Sequence, residues 1–308
     1  MKLAALDVGT NTVLMLVAEC VDGAEPKRLL ELTRITRLGR GVERTGHLDP
    51  ECAARTLEAI SEFSSQARAL GAERILTAAT SALRDARDGE AFIAKVRNAT
   101  GVELEVISGE TEAYLSYLAS VRGLRLDPAA KLLIIDIGGG STELIAARPS
   151  EPLKLVSLEM GSVRLTERIV KHDPPTPAEN SELERTADAM LSALQWQFHP
   201  ETAVGIAGTV TTLAAVAVGL SHYDHEAVHG VQLERRRVRE VLELLRTLGL
   251  EQRKALPGMM EGRADVIIAG VTILERILAH FGVDRLIVSD QGVRWGLVWR
   301  ELEHSLRA

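Results

Sequence analysis

Leu132-Leu-Ile-Ile-Asp-Ile-Gly-Gly-Gly-Ser-Thr-Glu-Leu-Ile145 decides how the chain is read. Four apolar residues lead into Asp136, three glycines follow, and Ser141-Thr142 opens a second apolar run. An unbroken apolar run bounded by Gly predicts a buried strand. Glycines take positive φ and lack Cβ, so such a turn approaches a ligand closely and aims N–H groups at it. Asp136 then stands at the end of the strand, at the mouth of a hairpin sized for an anion. Taken alone, the motif also fits a tight turn with an acid exposed at its rim.

The chain repeats the pattern. Leu3-Ala-Ala-Leu-Asp-Val-Gly-Thr-Asn-Thr-Val-Leu14 places Asp7 129 positions before Asp136, with Gly9 in the place of Gly138. Thr10, Asn11 and Thr12 take the places of Gly139, Gly140 and Ser141. Two hairpins in register predict two related domains. Facing each other, they would bring two carboxylates and two N–H-rich turns to one cleft.

At 308 residues the chain suits two domains with cores of ordinary size. It is 46% hydrophobic and 26% charged, as expected of a soluble globular protein, and its net charge of −7 argues against a general nucleic-acid or anionic-membrane surface. Cys20 and Cys52 make neither a disulfide framework nor a zinc spacing, which suits a reducing interior. With no signal-peptide pattern and no apolar run of about 18 residues, the expected location is cytoplasmic.

Taken in order, Val13–Val21 and Lys27–Leu38 extend the first hairpin into an antiparallel sheet, with a turn at Asp22-Gly23. The Gly- and Arg-rich segment 37–46 is either a solvated connection or a loop that offers Arg37, Arg40 or Arg44 to an anion. Asp49-Pro50 starts a helix running to about Leu70, and Ile75–Ala79 is a buried strand. Thr80, Ser81 and Arg84 follow the end of that strand, where open α/β sheets place ligand contacts. Arg84 offers a planar fork of donors suited to phosphate. A helix at 89–99 and a strand at 102–107 come next.

Ser108 is a cap for a helix beginning near Gly109, with Glu110 and Glu112 in its first turn. Those acids serve the helix dipole or, at a strand end, take a proton from water. Both readings stay open on the residues. Beyond the second hairpin we expect a strand at Leu153–Leu158, a helix from Gly161-Ser162 that carries Arg164, and a helix from Glu179 to Phe198. A strand at Ala203–Ala207 should lead into a helix opened by Gly208-Thr209, whose free N–H groups form a second anion nest. An amphipathic helix at 235–247 follows. A long helix to His280 should carry Arg263 and Asp265 near its start, and a strand at Arg285–Asp290 precedes a closing helix from Val293 to Leu306. His222, His225 and His229 invite a metal reading, but without cysteines they fit structural or surface roles better.

Hydroxyls, nests and arginines together describe a site for polyphosphate or nucleotide phosphates. Carboxylates at such a mouth repel phosphate unless they hold a divalent cation. In-line attack by water gives hydrolysis and attack by a substrate hydroxyl gives a kinase. A nucleotide-binding protein without chemistry is the third class.

In this order and combination the motifs Asp7-Val-Gly-Thr-Asn11, Arg37-Leu-Gly39, Ala79-Thr-Ser-Ala-Leu-Arg84, Ile107-Ser-Gly-Glu-Thr-Glu-Ala113, Asp136-Ile-Gly-Gly-Gly-Ser-Thr-Glu143, Gly208-Thr-Val-Thr-Thr212 and Arg263-Ala-Asp265 are specific. The chain resembles, nearly end to end, the exopolyphosphatase / guanosine pentaphosphate phosphohydrolase family. That family falls within the superfamily of sugar kinases, 70-kDa heat-shock chaperones and actin. The resemblance implies an α/β fold of duplicated actin-like (ribonuclease H-like) domains, with mixed five-stranded sheets flanked by helices. Domains would span 1–124 and 125–308, the last helix packing back on the first. It implies hydrolysis of terminal phosphate from inorganic polyphosphate and of guanosine pentaphosphate, using Mg²⁺ or, as a substitute, Mn²⁺. The alternative is an actin-like nucleotide-binding protein or a phosphotransferase. No nucleic acid or membrane is expected as a partner, and a homodimer is expected from resemblance alone.

Carried over by position, Glu112 resembles the general base, with Glu110 in reserve, and Glu143 its partner in orienting water or holding the ion. Asp136 and Asp7, with Glu143, resemble the metal carboxylates. Thr10, Asn11, Arg84, Gly138, Gly139, Gly140, Ser141, Gly208, Thr209 and Arg263 would contact phosphates. Thr111 stands where many members carry a second Glu, Asp88 where many carry Asn, and Gln291 and Trp295 where charged residues are more common. Long members append helical domains that this sequence does not include, which weakens any claim of high processivity on long polymers.

Overall fold

Every second residue of the first strand belongs to a different core, and that alternation builds the first half of the molecule. In a computed structural model that describes residues 1–21, 24–127, 129–260 and 262–305, β1 (Lys2–Val8) pairs antiparallel with β2 (Thr12–Glu19), and β2 pairs with β3 (Lys27–Ile35). After the short helix α1 (Val42–Thr45) and the long α2 (Pro50–Ala69), β4 (Arg74–Ala79) returns parallel to β1. Ala4, Leu6 and Val8 face one core with Ala59, Ile60, Phe63 and Ala67 of α2. Leu3 and Ala5 face another with Leu115 and Ala119. A side-chain period of two with both faces covered explains why this strand reads as continuously apolar. Burial of Phe63 alone, 2% exposed, contributes roughly 1.5–3 kcal/mol. Asp49 caps α2, its Oδ1 accepting from the N–H groups of Glu51 and Cys52, and Pro50 sits at the first helical position.

The chain continues through α3 (Ser81–Asp85), α4 (Gly89–Thr100) and α5 (Gly109–Gly123) into the second sheet. There β5 (Leu132–Ile137), β6 (Thr142–Ala147) and β7 (Lys154–Leu158) repeat the antiparallel meander. Helices α6 (Ser162–Ile169) and α7 (Pro177–Ala193) lead to β8 (Thr202–Ile206), parallel to β5. Next come α8 (Ala207–Val218), α9 (His225–Val228), β9 (Gln232–Glu234), α10 (Arg235–Thr247) and α11 (Leu250–Lys254). Last are α12 (Ile267–His280), β10 (Arg285–Val288) and α13 (Val293–Ser305). α12 is buried over most of its length and packs on α6, α7, α8 and α10, as expected of a helix apolar on nearly every side.

Contacts divide the chain into two compact units. The first holds residues Met1–Ala119 with the segment from Val293, and the second holds Ser120–Gly292. In the first unit Val293, Trp295, Leu297 and Val298 of α13 join the core of Leu3 and Ala5. Arg294 reaches half-buried Glu31 of β3 with a 2.5 Å hydrogen bond from Nε.

Both sheets are mixed and helix-flanked, and four strands recur in the same order: β3-β2-β1-β4 in one, β7-β6-β5-β8 in the other. Neither sheet is five-stranded, contrary to expectation. The first stops at four because 102–107, expected as a strand, makes a single bridge between Ala79 and Val106. Thr77 Oγ1 takes over the ladder there, donating to Glu103 O at 2.8 Å and accepting from Glu105 N at 2.9 Å. The second extends to six with β10 parallel to β8 and β9 on its outer edge.

Two helix boundaries also differ. α7 ends at Ala193 rather than near Phe198, because Gln195 is left-handed (φ 51°) and Trp196 turns to pack on Phe281. Residues 262–266 form a turn before α12, so Arg263 and Asp265 precede the helix instead of lying in it. Buried Arg253 holds that turn, its Nε donating to Ala264 O at 2.8 Å and its Nη2 to Asp173. The turn expected at Asp22-Gly23 and the helix end at Leu306 lie outside the described residues. Among the described residues, no helix is long and apolar enough to cross a membrane.

Candidate active site

The 129-residue repeat persists in individual hydrogen bonds. Asp7 pairs with Leu14 across the first hairpin and Asp136 with Glu143 across the second. Gly9 N donates to Thr12 O at 3.0 Å, and Gly138 N to Ser141 O at 3.0 Å. The segment after the third strand then donates into the turn in both units. Gly39 N reaches Thr10 O and Thr36 N reaches Asn11 O in the first, while Val163 N reaches Gly139 O and Ser162 N reaches Gly138 O in the second. With the turn carbonyls occupied from one side, the turn is fixed before any ligand binds.

In the first unit Thr10, Asn11 and Thr12 are each at least nine-tenths buried, and Asn11 Nδ2 has no hydrogen-bond partner among the described residues. A buried amide donor left unmatched costs about 1–3 kcal/mol, which a bound anion would offset. The 37–46 segment docks on this turn through Gly39, with Leu38 fully buried and Arg40 paired to Asp49 at 2.7 Å. Arg84, on the short helix after β4, donates from Nη1 to Ile107 O at 2.8 Å and to Glu112 Oε2 at 3.0 Å. Ser108 Oγ accepts from Thr111 N and starts α5, which buries Glu112 and leaves Glu110 exposed. The residues left the role of these acids open, and the family resemblance put Glu112 first with Glu110 in reserve. Burial and the Arg84 contact distinguish Glu112. Asp88 Oδ1 accepts from Leu48 N and so braces the turn after Arg84.

In the second unit Asp136 is 6% exposed and Glu143 fully buried. As directly paired residues of an antiparallel ladder they share one face of the sheet, their Cβ atoms roughly 4.5–5.5 Å apart. Glu143 Oε1 accepts from Ser157 Oγ at 2.6 Å, across from it on β7. Arg164 clasps the glycine turn, Nε donating to Gly140 O at 2.7 Å and Nη2 reaching Glu159 at 2.8 Å. Gly161 is obligatory here, since a Cβ would come within 2.2 Å of Gly139 O. Gly208 and buried Thr209 open α8, and the Arg263 guanidinium lies so close that a Cβ on Gly208 would meet Nη2 at 2.1 Å. Burial pulls the Arg263 guanidinium down to about 10, with Tyr223 and Asp265 opposing the shift, so it stays charged at neutral pH.

Ser157 and the clasping role of Arg164 were not anticipated. A serine inside the apolar run Leu155-Val-Ser-Leu158, opposite Glu143 in register, is the signal that would have found the first. The histidines of the 222–229 segment make hydrogen bonds within the second unit. His225 Nδ1 lies 2.8 Å from Asp290, which also accepts from Tyr223. His229 accepts from Asp290 N and contacts Gly123 O.

A model of the Ppx/GppA phosphatase family matches residues 16–305. Exopolyphosphatase 2 of Mycobacterium tuberculosis is 36% identical over 96% of this chain and 97% of its own length. The crystal structure of the Aquifex aeolicus member of the Ppx/GppA protein family is similar with a TM-score of 0.84 at 33% identity, covering 99% of this chain and 98% of that one. An exopolyphosphatase structure from Cytophaga hutchinsonii, 24% identical, shares the fold with a TM-score of 0.91 over 99% of this chain and 98% of that one.

Proposed function

Since the chain belongs to the Ppx/GppA phosphatase family, we propose that it is an exopolyphosphatase that hydrolyses terminal phosphate from inorganic polyphosphate, with the 5′-terminal phosphate of guanosine pentaphosphate as a second substrate. The exopolyphosphatase name of the relative at 36% identity supports the choice of substrate. The observation that carries the chemistry is the pair Asp136 and Glu143, two buried carboxylates side by side on one sheet face. Ionised together they repel, and a divalent cation bound by their oxygens relieves that cost. Their all-oxygen donor set suits Mg²⁺, with Mn²⁺ as substitute. Asp7 is the corresponding donor of the first unit. When bound, the cation would draw charge from the transferring phosphoryl group.

Glu112 is the proposed base, accepting the proton of the attacking water, and Glu143 orients that water. The 3.0 Å contact of Arg84 with Glu112 supports this role by holding the buried carboxylate in a fixed position. The phosphate contacts proposed are Thr10, Asn11 and Arg84 in the first unit, and Gly138, Gly139, Gly140, Ser141, Gly208, Thr209 and Arg263 in the second. We place the domains at 1–124 and 125–308 with the last helix packing back on the first; the grouping of the segment from Val293 with residues 1–119 supports that packing, although the contacts divide at 119/120. Two buried free cysteines support a cytoplasmic setting. Homodimerisation is proposed on the family resemblance alone.

Phosphate release with Mg²⁺ from short polyphosphate, long polyphosphate, guanosine pentaphosphate and ATP, measured alongside Glu112→Gln, tests the reading. Release from the first three substrates that falls at least ~10²-fold in the variant, with binding retained, supports it. Activity untouched by Glu112→Gln removes Glu112 as base. Binding without turnover in the unmodified chain would favour a nucleotide-binding protein instead.

A further inference from the structure

Within the second unit an open cleft of about 510 Å³ is lined by Glu234, Arg235, Arg236, Arg239, Asp284 and Arg285. It lies at the amino end of β10, which runs parallel to β8. The turns of Gly138 and Gly208 lie at the carboxyl ends of β5 and β8, so the cleft is at the opposite end of the sheet. Two of its arginines are set in place by a carboxylate beneath them. Glu275, 6% exposed, accepts from Arg235 Nε at 3.2 Å and Nη2 at 2.9 Å, and from Arg239 Nε at 2.7 Å. Arg285 is steadied by a 3.2 Å hydrogen bond to Gln232, and Arg236 lies 3.6 Å from Glu240. These bonds use the inner donors. Arg235 Nη1, both Arg239 Nη atoms and Arg285 Nη2 make no hydrogen bond to another described residue. The cleft also adjoins the amino end of α10, whose dipole favours an anion.

We infer that this cleft is a second binding site, for a short phosphoanhydride chain carrying its divalent cation. Preset guanidinium forks match phosphate oxygens, and holding them in advance removes part of the ordering cost of binding. The lining contains no aromatic or apolar side chain to sandwich a nucleobase, which favours the phosphate chain over a nucleoside as the recognised part. Glu234 and Asp284 oppose a bare polyanion but suit one that brings a cation for their oxygens. Arg237 is engaged elsewhere, by Ala217 O and Glu240, and takes no part.

The test is calorimetric titration of tripolyphosphate with Mg²⁺ into the full chain carrying Glu112→Gln, compared with the same chain carrying Arg236→Ala and Arg285→Ala as well. Both arginines are exposed, and a melting curve checks that the fold survives. Two binding events are expected in the first protein, one of which weakens about tenfold or more in the second and fades with salt. Omitting Mg²⁺ should weaken the same event, and ATP should compete no better than tripolyphosphate. Equal binding by both proteins, or a single event in each, overturns the site. Tighter binding of ATP overturns the assigned ligand, and tighter binding without Mg²⁺ overturns the role of the two acids. Residual phosphate release during the titration would count against Glu112 as base and is read separately from loss of the second event.

Discussion

Glu143 stands where the first hairpin has Leu14, so Glu143→Leu restores the apolar residue that the duplicate already carries. The substitution orphans the Ser157 hydroxyl and is therefore best made together with Ser157→Ala. Ionised carboxylates on side chains whose Cβ atoms are about 5 Å apart repel by about 3 kcal/mol at an effective dielectric of 20 if the charges keep that spacing. The hydrogen bond lost with Glu143 was worth about 2 kcal/mol. In EDTA the double variant should therefore unfold with about 1 kcal/mol more stability than the unmodified chain, a rise of roughly 2–4 °C. Saturating Mg²⁺ reverses the order. At a hundredfold excess over Kd the unmodified chain gains about 2.7 kcal/mol, whereas the variant, lacking one of two adjacent donors, gains little. Urea and thermal unfolding of both proteins, each with EDTA and with Mg²⁺, give the four values needed. An unmodified chain that ignores Mg²⁺, or a variant that gains as much as the unmodified chain, would refute the idea that these carboxylates are kept together by a cation.

Three further outcomes follow from the same geometry. Gly161→Ala drives a Cβ into the Gly139 carbonyl, backbone that cannot swing aside, so we expect about 2–4 kcal/mol of destabilisation by urea unfolding. Gly208→Ala instead meets the movable end of Arg263, so unfolding should shift by less than about 1 kcal/mol while kcat/KM for tripolyphosphate falls roughly tenfold. Burial opposes the charge of Glu275, but hydrogen bonds from Arg239 and Arg235 outweigh it and hold its carboxyl below the ordinary range. Its stabilising contribution is complete above the unfolded value of about 4.3 and is lost as pH falls through the lower folded value. Glu275→Gln should therefore flatten the acid limb of a stability–pH profile measured between about pH 5 and 2.

The doubled hairpin was legible because its signal is local and repeated. The Asp-apolar-Gly spacing recurs, and the Gly9 and Gly138 hydrogen bonds recur with it. Pro50–Ala69, with both a cap and a period, and Arg235–Thr247, by its period alone, were legible for the same reason. Other features depended on distant residues. The 102–107 segment has strand composition, but the Thr77 hydroxyl takes its hydrogen bonds and leaves only one bridge. Residues 262–266 look like the start of a helix, yet Arg253 takes the Ala264 carbonyl that a helix would have used. Glu110 and Glu112 differ by two positions in sequence; the resemblance ranked Glu112 first, and its burial and the reach of Arg84 are what set it apart physically.

The two hairpins share a backbone and differ in what it carries, which suggests how the duplicated scaffold divides its work. Main-chain bonds from the segment after the third strand run into both turns, and in the second the Arg164 side chain adds its clasp on Gly140. The first turn carries Thr10 and Asn11, polar groups held in burial, where the second carries Gly139 and Gly140, which put no side chain beside their N–H groups. The difference continues along each second strand, where the paired position is apolar Leu14 in one and charged Glu143 in the other. A carboxylate at that position is costly in a buried sheet, and the first hairpin folds without it. Its presence in the second is therefore better explained by ligand chemistry than by stability, and the Mg²⁺-dependent reversal of unfolding separates those two causes.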